Sequence, residues 1–272
     1  QAHLKFKRRA DVARLFSCAF LVQRFVCGKR CCMDQSDKFG QPVQGFVPPP
    51  IPQVDGLLGR YAELAVLSAD THAADLHRAN SVSDEVWDYL PYGPFHSAAA
   101  YHRWVREVEG RDDPKFYAIR DLSTSHWCGV ASFLRISPEA GSIEVGHILL
   151  APELQRSRAA TEALYLMMKW AFEAGYRRFE WKCNALNKGS RAAAQRLGLS
   201  YEGVFRQAAV VKGRNRDTAW FAAIDSEWPA LKEAFEAWLD PRNFDAQGQQ
   251  VERLRDLTGL VRAGSDPTLQ PL

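Results

Sequence analysis

The sequence predicts a mixed α+β fold, in which a mostly antiparallel sheet is combined with helices. Between residues 115 and 150, three segments alternate apolar and polar residues and are joined by turn-forming residues, which is typical of an antiparallel meander. Several longer segments repeat apolar residues at spacings of three and four, as amphipathic helices do. After residue 150 a long helical segment, a strand, a second helical segment and two strands follow, an order that adds parallel pairing to the sheet.

Each element follows from a local pattern. The first strand is predicted at residues 57–68, and Ser68 is a candidate N-cap for a helix over residues 68–81. A short helix at 83–95 and a longer one at 97–111 come next. The remaining elements, in chain order, are strands at 115–122, 126–137 and 143–150, a helix ending at Gly175, a strand at 177–186, a helix from Asn187 to Gly198, strands on either side of residues 212–215, and a helix at 226–239.

Both ends of the chain differ in composition from its body. Residues 1–32 carry eight Lys or Arg, one acid and four of the six cysteines, whereas the rest of the chain has a net charge of −4. We expect residues 1–32 to be a disordered or non-native leader, with a basic amphipathic targeting helix as the alternative. Residues 33–54 contain three consecutive prolines and are predicted to form an extended arm. The folded domain is expected at 55–240, and a polar tail with a weak helix at 241–272.

The composition argues against several functional classes. No run of 18 apolar residues occurs, so no membrane span is expected. The mildly acidic body lacks the basic face of a nucleic-acid-binding protein. Cys27, Cys31 and Cys32 lack a second Cys/His pair at zinc-binding spacing, so no metal site is expected. The body holds only Cys128 and Cys183, which fits a reducing compartment and a cytoplasmic protein.

A short basic loop precedes the long helix and is a candidate phosphate site. The N-terminus of a helix exposes free amides and attracts anions. Arg156 and Arg158 add positive charge there, and Ser157 and Thr161 add hydroxyl groups. The loop contains no glycine, although glycine would allow the backbone to approach a ligand closely. An ordinary capped helix with solvated arginines is the alternative.

Several phrases in the chain match one family when they are taken together. They are Gln155-x-x-Arg158-x-Ala160, Asn187-x-x-Ser190, Leu197-Gly198-Leu199 and Glu202-Gly203. Over residues 55–240 the chain resembles the GNAT superfamily of acyl-CoA-dependent N-acetyltransferases, and most closely its ribosomal-protein N-terminal acetyltransferase (Rim-type) branch. The resemblance implies a central twisted sheet with one splayed strand pair and helices on both faces. Arg158 stands where the family has a glycine.

The resemblance also implies acetyl-CoA as the acetyl donor and assigns the residues that would bind it. The pantetheine arm would pair with the backbone of Ile148, Leu149 and Leu150, at the end of a strand that splays from its neighbour. For these three residues a buried central strand is the alternative reading, and both can hold. Asn187 and Ser190 would contact CoA, or only cap the helix that follows. The loop residues expected at the CoA pyrophosphate are Gln155, Arg156, Ser157, Arg158, Ala159, Ala160 and Thr161.

Two residues are candidates for catalysis. Glu144 alternates with apolar neighbours on the strand that would hold the acetyl group, so it is the candidate general base, with a salt-bridged or solvent-facing carboxylate as the alternative. Many family members protonate the CoA thiolate with a tyrosine, but Ala194 or Gln195 occupies that place here. Ser190 is the hydroxyl that remains in the motif, and water is the other candidate. His147 is a lesser candidate for a role in catalysis.

The acceptor side is the least defined by sequence. Trp87, Tyr89 and Tyr92 are candidates for an aromatic wall around the substrate, and a small satellite core is the alternative. The predicted function is acetyl transfer to a primary amine, of a protein or peptide N-terminus or of a small molecule, by direct attack in a ternary complex. A non-catalytic acyl-CoA-binding or scaffold module is the alternative. We expect a monomer or a homodimer.

Overall fold

The computed structural model describes residues 39–269, so the expectations for the leader at 1–32 lie outside the described residues. The chain divides into residues 1–46 and a unit spanning residues 47–272. In the first part, Gln44 and Gly45 form a turn. All helices and strands of the described residues belong to the unit that begins at Val47.

An eight-stranded sheet forms the centre of this unit, with the strand order β1-β2-β3-β4-β5-β6-β8-β7. The strands are β1 (Gly56–Leu58), β2 (Ala62–Val66), β3 (Lys115–Asp121), β4 (His126–Ser137), β5 (Ser142–Leu150), β6 (Arg178–Asn184), β7 (Ser200–Val211) and β8 (Arg214–Ile224). Neighbouring strands are antiparallel except β5 and β6, which run parallel. The predicted mixed α+β fold with a mostly antiparallel sheet is therefore confirmed.

Six helices accompany the sheet in the described residues. They are α1 (Ala69–Asn80), α2 (Ala98–Val108), α3 (Arg158–Glu173), α4 (Lys188–Arg196), α5 (Trp228–Leu239) and α6 (Leu254–Thr258). Ser68 caps α1, as its sequence predicts, by accepting a hydrogen bond from the amide of Thr71. The short helix predicted at 83–95 is a single 3₁₀ turn at Asp84–Trp87.

The prediction of a single strand at residues 57–68 was wrong, because this segment forms a hairpin of the two strands β1 and β2. The amides of Arg60, Tyr61 and Ala62 donate to the carboxylate of Glu162 on α3, at 3.0, 2.5 and 2.7 Å. A Cβ atom on Gly59 would lie 2.4 Å from that carboxyl group, so a side chain there would push the carboxylate away from these amides. The turn therefore depends on a partner about a hundred residues away, which local patterns do not reveal.

Both faces of the sheet are covered. Along β3, Tyr117 and Ile119 belong to the core beneath α3 and α5, whereas Phe116 and Ala118 belong to a second core. Successive side chains of a strand point to opposite faces, so the two cores lie on opposite sides of the sheet. The second core contains the buried face of α1 and α2 and the ring of Trp87.

The residues after Asp240 pack against the body. Leu254 is buried in the core beneath α3 and α5. Asp266 forms a bidentate ion pair with Arg191 of α4, with N–O distances of 2.6 and 2.7 Å, and both side chains are almost fully buried. Burial alone would raise the pKa of Asp266, but hydrogen bonds from Arg191 and Thr268 outweigh it and lower this pKa. The polar tail predicted from residue 241 thus holds α4 in place.

Candidate active site

The site begins where β5 and β6 part. They pair only over Ser142–Val145 and Arg178–Trp181, after which β5 continues along β4 and β6 along β8. Ser132 of β4 pairs with Gly146 of β5, whereas Val130 pairs with Leu149. Two steps along β4 therefore match three steps along β5, so β5 contains one extra residue here. His147 lies in this bulge with a left-handed φ of 50°. The bulge and the separation leave a gap between the two strand ends.

Two cavities meet at this gap. The first, which we call the cationic cleft, has a volume of about 830 Å³ and is lined by Arg135, Lys182 and Arg216 among others. The second, the loop cavity, has a volume of about 1070 Å³ and is lined by residues 155–161, α4 and residues 248–250. The residues that line both are Val86, Ile148, Gln155, Trp181, Asn187 and Ser190. A ligand entering from either side can therefore reach the splayed strands.

The loop before α3 has the geometry of an anion site. Ser157 caps α3 by accepting a hydrogen bond from the amide of Ala160 at 2.9 Å. The amides of Arg156, Arg158 and Ala159 have no acceptor among the described residues. Arg156 is left-handed, with φ of 61°, and a left-handed residue beside helical ones gathers successive amides around one point. Free amides, a helix N-terminus and arginine side chains together favour a phosphate group.

The backbone and side chain of Arg158 show how the loop functions without a glycine at this position. It is the first residue of α3, so its backbone is helical and does not require glycine. Its guanidinium group lies 5.1 Å from the ring centre of Tyr61 and 4.5 Å from that of Phe244. The side chain is therefore stacked between two aromatic rings at the wall of the loop cavity, where the backbone amides stay accessible.

The other predicted donor residues differ in what they present. Ile148 and Leu150 are half-buried and line the loop cavity. Leu149 is buried in the second core, so it can offer only its backbone. The side-chain Nε2 of Gln155 donates to the carbonyl of Leu150 at 3.0 Å, and Thr161 is buried and donates its hydroxyl to the carbonyl of Ser157.

Asn187 and Ser190 begin α4 beside the gap. The side chain of Asn187 accepts a hydrogen bond from the amide of Ser190 at 2.9 Å, so the capping role is present. The indole N–H of Trp181 donates to the Ser190 hydroxyl oxygen at 2.9 Å. The hydroxyl also hydrogen-bonds to the thiol of Cys183, and Ser190 lines both cavities, so a ligand can reach it from either side.

Glu144 lies in the cationic cleft but is ion-paired. Its two carboxylate oxygens contact Arg135 at 2.7 Å and Lys182 at 2.8 Å. Lys182 also contacts Glu180 at 2.7 Å and lies 3.8 Å from the ring centre of Trp220. The side chain of Arg135 is 60% exposed and that of Glu144 only 3%, so a cationic ligand could replace Arg135 without disturbing Lys182.

His147 is held as a neutral side chain at the edge of the cleft. Burial, reinforced by the charges of Arg135 and Arg216, lowers the pKa of His147 to about 4. Its Nδ1 atom is 3.1 Å from the hydroxyl oxygen of Tyr92, and the two rings are stacked. At neutral pH this ring is therefore a hydrogen-bonding group without charge.

The three predicted aromatic residues separate into two groups. Tyr89 lines the cationic cleft, and its hydroxyl donates to the carbonyl of Leu186 at 3.4 Å. Trp87 is buried in the second core, and Tyr92 packs against that core behind His147. Lys212 donates to the carbonyl of Trp87 at 2.9 Å and ties the β7–β8 hairpin to this segment. For Trp87 and Tyr92 the satellite-core alternative describes their position.

Comparison with known proteins identifies the family. The model of the acetyltransferase (GNAT) domain matches residues 64–200. The crystal structure of a GCN5-related N-acetyltransferase from Brucella melitensis is 43% identical, with a TM-score of 0.78, and the match covers 80% of this chain and 100% of that one. The chain belongs to the GNAT acetyltransferase family. Membership implies acetyl transfer that depends on acetyl-CoA.

Two further solved structures place this GNAT protein among its relatives. A GNAT-family protein from Chromobacterium violaceum ATCC 12472, described as a probable acetyltransferase, is 38% identical over 70% of this chain and 96% of that one, with a TM-score of 0.66. RimL, a ribosomal L7/L12 alpha-N-protein acetyltransferase, is 25% identical over 66% of this chain and 99% of that one, with a TM-score of 0.54. No curated protein matched the chain.

Two arginines of this GNAT protein were missed by the sequence analysis. Arg196 lines the loop cavity, donates to Thr161 at 3.1 Å and has no carboxylate partner among residues 39–269. Burial lowers the pKa of Arg196. Arg216 lines the cationic cleft from the start of β8. Neither belongs to a short motif, and only the packing of α4 on α3 and of β8 beside β6 brings them to the cavities.

Metal clusters and membrane-spanning helices are both missing from the described part of this GNAT protein. No group of three His, Cys, Asp or Glu side chains in residues 39–269 is arranged to hold a metal ion. Over the same residues, no helix has the length and apolar character needed to cross a bilayer.

Proposed function

We propose that this protein transfers the acetyl group of acetyl-CoA to a primary amine by direct attack in a ternary complex. The observation that carries the proposal is the meeting of the two cavities at the splayed ends of β5 and β6. Acetyl-CoA enters from the loop cavity and the amine from the cationic cleft, so the two reactants meet without a covalent enzyme intermediate. Holding both in one geometry lowers the entropic part of the barrier.

In the donor half of the proposal, the loop before α3 binds the pyrophosphate of CoA. The free amides of Arg156, Arg158 and Ala159 supply hydrogen bonds, and the side chains of Arg158 and Arg196 supply charge. The pantetheine arm then pairs with the backbone of residues 148–150 on the side that faces away from β4. This pairing brings the thioester to the gap beside Ser190.

In the chemical step, Glu144 receives the proton that the acceptor ammonium loses. The neutral amine attacks the thioester carbon, the carbon–sulfur bond breaks, the thiolate leaves on CoA, and the nitrogen gives up a second proton to water as the amide forms. Glu144 is suited to the first role because it lies in the cleft, and because the ammonium can displace the exposed Arg135 from one carboxylate oxygen. Ser190 relays this second proton to the leaving sulfur, directly or through water, and recovers its own, so the products are the amide and the CoA thiol.

The proposed acceptor is a primary amine of one of two classes. A protein or peptide N-terminus and a small primary amine both fit a cleft of about 830 Å³. The similarity to RimL, an alpha-N-protein acetyltransferase of the Rim-type branch, supports a protein or peptide N-terminus as the acceptor.

A second candidate is a module that binds acyl-CoA without turnover. Two observations favour it, namely Arg158 at the family's glycine position and Ala194 or Gln195 where many members have a catalytic tyrosine. Release of free thiol from acetyl-CoA, measured with pooled peptides, polyamines and aminoglycosides, separates the two. We expect acceptor-dependent release. CoA binding without release on any amine would support the module, and a folded protein that binds no CoA would overturn both.

A further inference from the structure

Among residues 39–269, Arg216 is a cation of the cationic cleft without a counterion. Arg135 and Lys182 are both paired with Glu144, and Lys182 also with Glu180. Arg216 makes no ion pair among the described residues, and its Nε atom is buried without a hydrogen-bond acceptor. Leaving a buried donor of a charged group unpaired is costly in free energy. An arginine in this state inside a ligand cleft is poised for an acceptor that the ligand brings.

The nearby acids do not serve Arg216. Asp217, its neighbour in the chain, accepts from the amide of Gln207 at 2.7 Å and from the side chain of Asn215 at 2.9 Å. Glu85 also lines the cleft but is not ion-paired with Arg216. The positive charge of Arg216 acts on His147 at the cleft wall and contributes to lowering the pKa of His147. The cleft therefore combines a carboxylate that can take an ammonium, Glu144, with a cation that lacks an anion.

We propose that the acceptor carries an anionic oxygen group, a carboxylate or a phosphate, on the same molecule as the amine, and that Arg216 binds this group. The inference rests on the proposed acetyl transfer and names its substrate class. A guanidinium group binds either anion through two parallel N–H···O hydrogen bonds, and an acceptor without an anionic group cannot accept this pair of hydrogen bonds. Glu144 receives the amine end and Arg216 the anionic end, so the cleft selects acceptors with both charges.

Matched acceptors test this selection. Leucine is compared with leucine amide, and O-phosphoethanolamine with ethanolamine, with thiol release as the readout. We expect kcat/KM to be about 10- to 100-fold higher for the anionic member of at least one pair, as for a hydrogen bond to a charged group. The pair that shows the preference identifies the anion as carboxylate or phosphate. Equal kcat/KM within both pairs would overturn the proposal.

Two variants assign the preference to Arg216. Arg216→Gln is expected to remove the preference by lowering kcat/KM for the anionic acceptor about 10- to 100-fold relative to that for its neutral partner. Arg216→Lys is expected to keep part of it. Arg214→Gln is the matched control, because Arg214 lies two residues away on the same strand, is exposed and does not line the cleft. If Arg216→Gln slows anionic and neutral acceptors equally, Arg216 acts on the reaction or the fold, and the proposal is refuted.

A binding measurement keeps the inference separate from the acetyl transfer itself. Calorimetric titration of the four acceptors into the protein saturated with CoA does not require turnover. Tighter binding of an anionic member that Arg216→Gln abolishes would support the anion site even if no thiol is released, and acetyl transfer alone would then have failed. No difference in binding and none in turnover would refute the anion site.

Discussion

Replacement of Arg158 by glycine restores the residue that most GNAT proteins have, and we expect it to weaken CoA binding. Arg158 stacks on Tyr61 and Phe244 at the wall of the loop cavity, so its charge is held in place before a ligand arrives. A hydrogen bond between a charged side chain and a phosphate contributes about 1.5–3 kcal/mol. Losing it corresponds to a Kd for CoA that is about 10- to 100-fold higher.

The same substitution also has a structural effect that must be separated from binding. Each of the two cation–π contacts contributes about 0.5–2 kcal/mol, so Arg158→Gly is expected to lower the free energy of unfolding by about 1–4 kcal/mol. Arg158→Leu, which keeps apolar contact with both rings but lacks the charge, is the control. Both variants should bind CoA weakly but pantetheine normally, because pantetheine has no pyrophosphate.

Calorimetry with CoA and pantetheine measures both affinities. Tighter CoA binding by Arg158→Gly would show that the side chain obstructs the ligand. Unchanged CoA binding by both variants would show that the backbone amides alone hold the pyrophosphate. Either result would refute the role assigned to the guanidinium group.

Three other predictions address the chemistry, the fold and the pH dependence. Glu144→Gln should lower kcat by about 100-fold or more while the Kd of CoA stays within twofold, whereas an equal loss of both would show that Glu144 is not the base. Gly59→Ala should lower the free energy of unfolding by about 2–4 kcal/mol, because its Cβ would displace the Glu162 carboxylate from three amides, and Gly40→Ala, with no atom within 4 Å of its Cβ, should not. Since the pKa of His147 is lowered to about 4, the unfolded chain binds more protons between pH 6.5 and 4, and stability should fall by up to about 3 kcal/mol as the pH is lowered through that range. Denaturant titrations of the protein and of His147→Gln should show this fall reduced in the variant, and an identical pH profile in both would contradict it.

Local patterns were sufficient where one segment contains all the partners. The cap of α1 by Ser68 and that of α4 by Asn187 depend on residues three positions apart, and both were predicted from the sequence. The alternation that placed Glu144 on one face of β5 was equally local.

Features that join distant segments could not be predicted in this way. The β1–β2 turn needs Glu162, and the stack on Arg158 needs Phe244 from beyond the predicted domain. Among the described residues, Arg216 is unpaired because the acids near it bond elsewhere, and this depends on how β6, β8 and the loops are arranged. Sequence spacing carries no information about such a set of neighbours.

The ion pair between Arg191 and Asp266 has a consequence for where this protein can be shortened. The family match ends at residue 200, yet the helix that presents Asn187 and Ser190 is anchored by a carboxylate 66 positions further on. A chain ending after Leu239 would leave a buried guanidinium group uncompensated and would remove Phe244 and residues 248–250 from the loop cavity. The smallest folded unit therefore reaches at least to Asp266, and a fragment ending at residue 200, where the family model ends, would lack part of its own donor site.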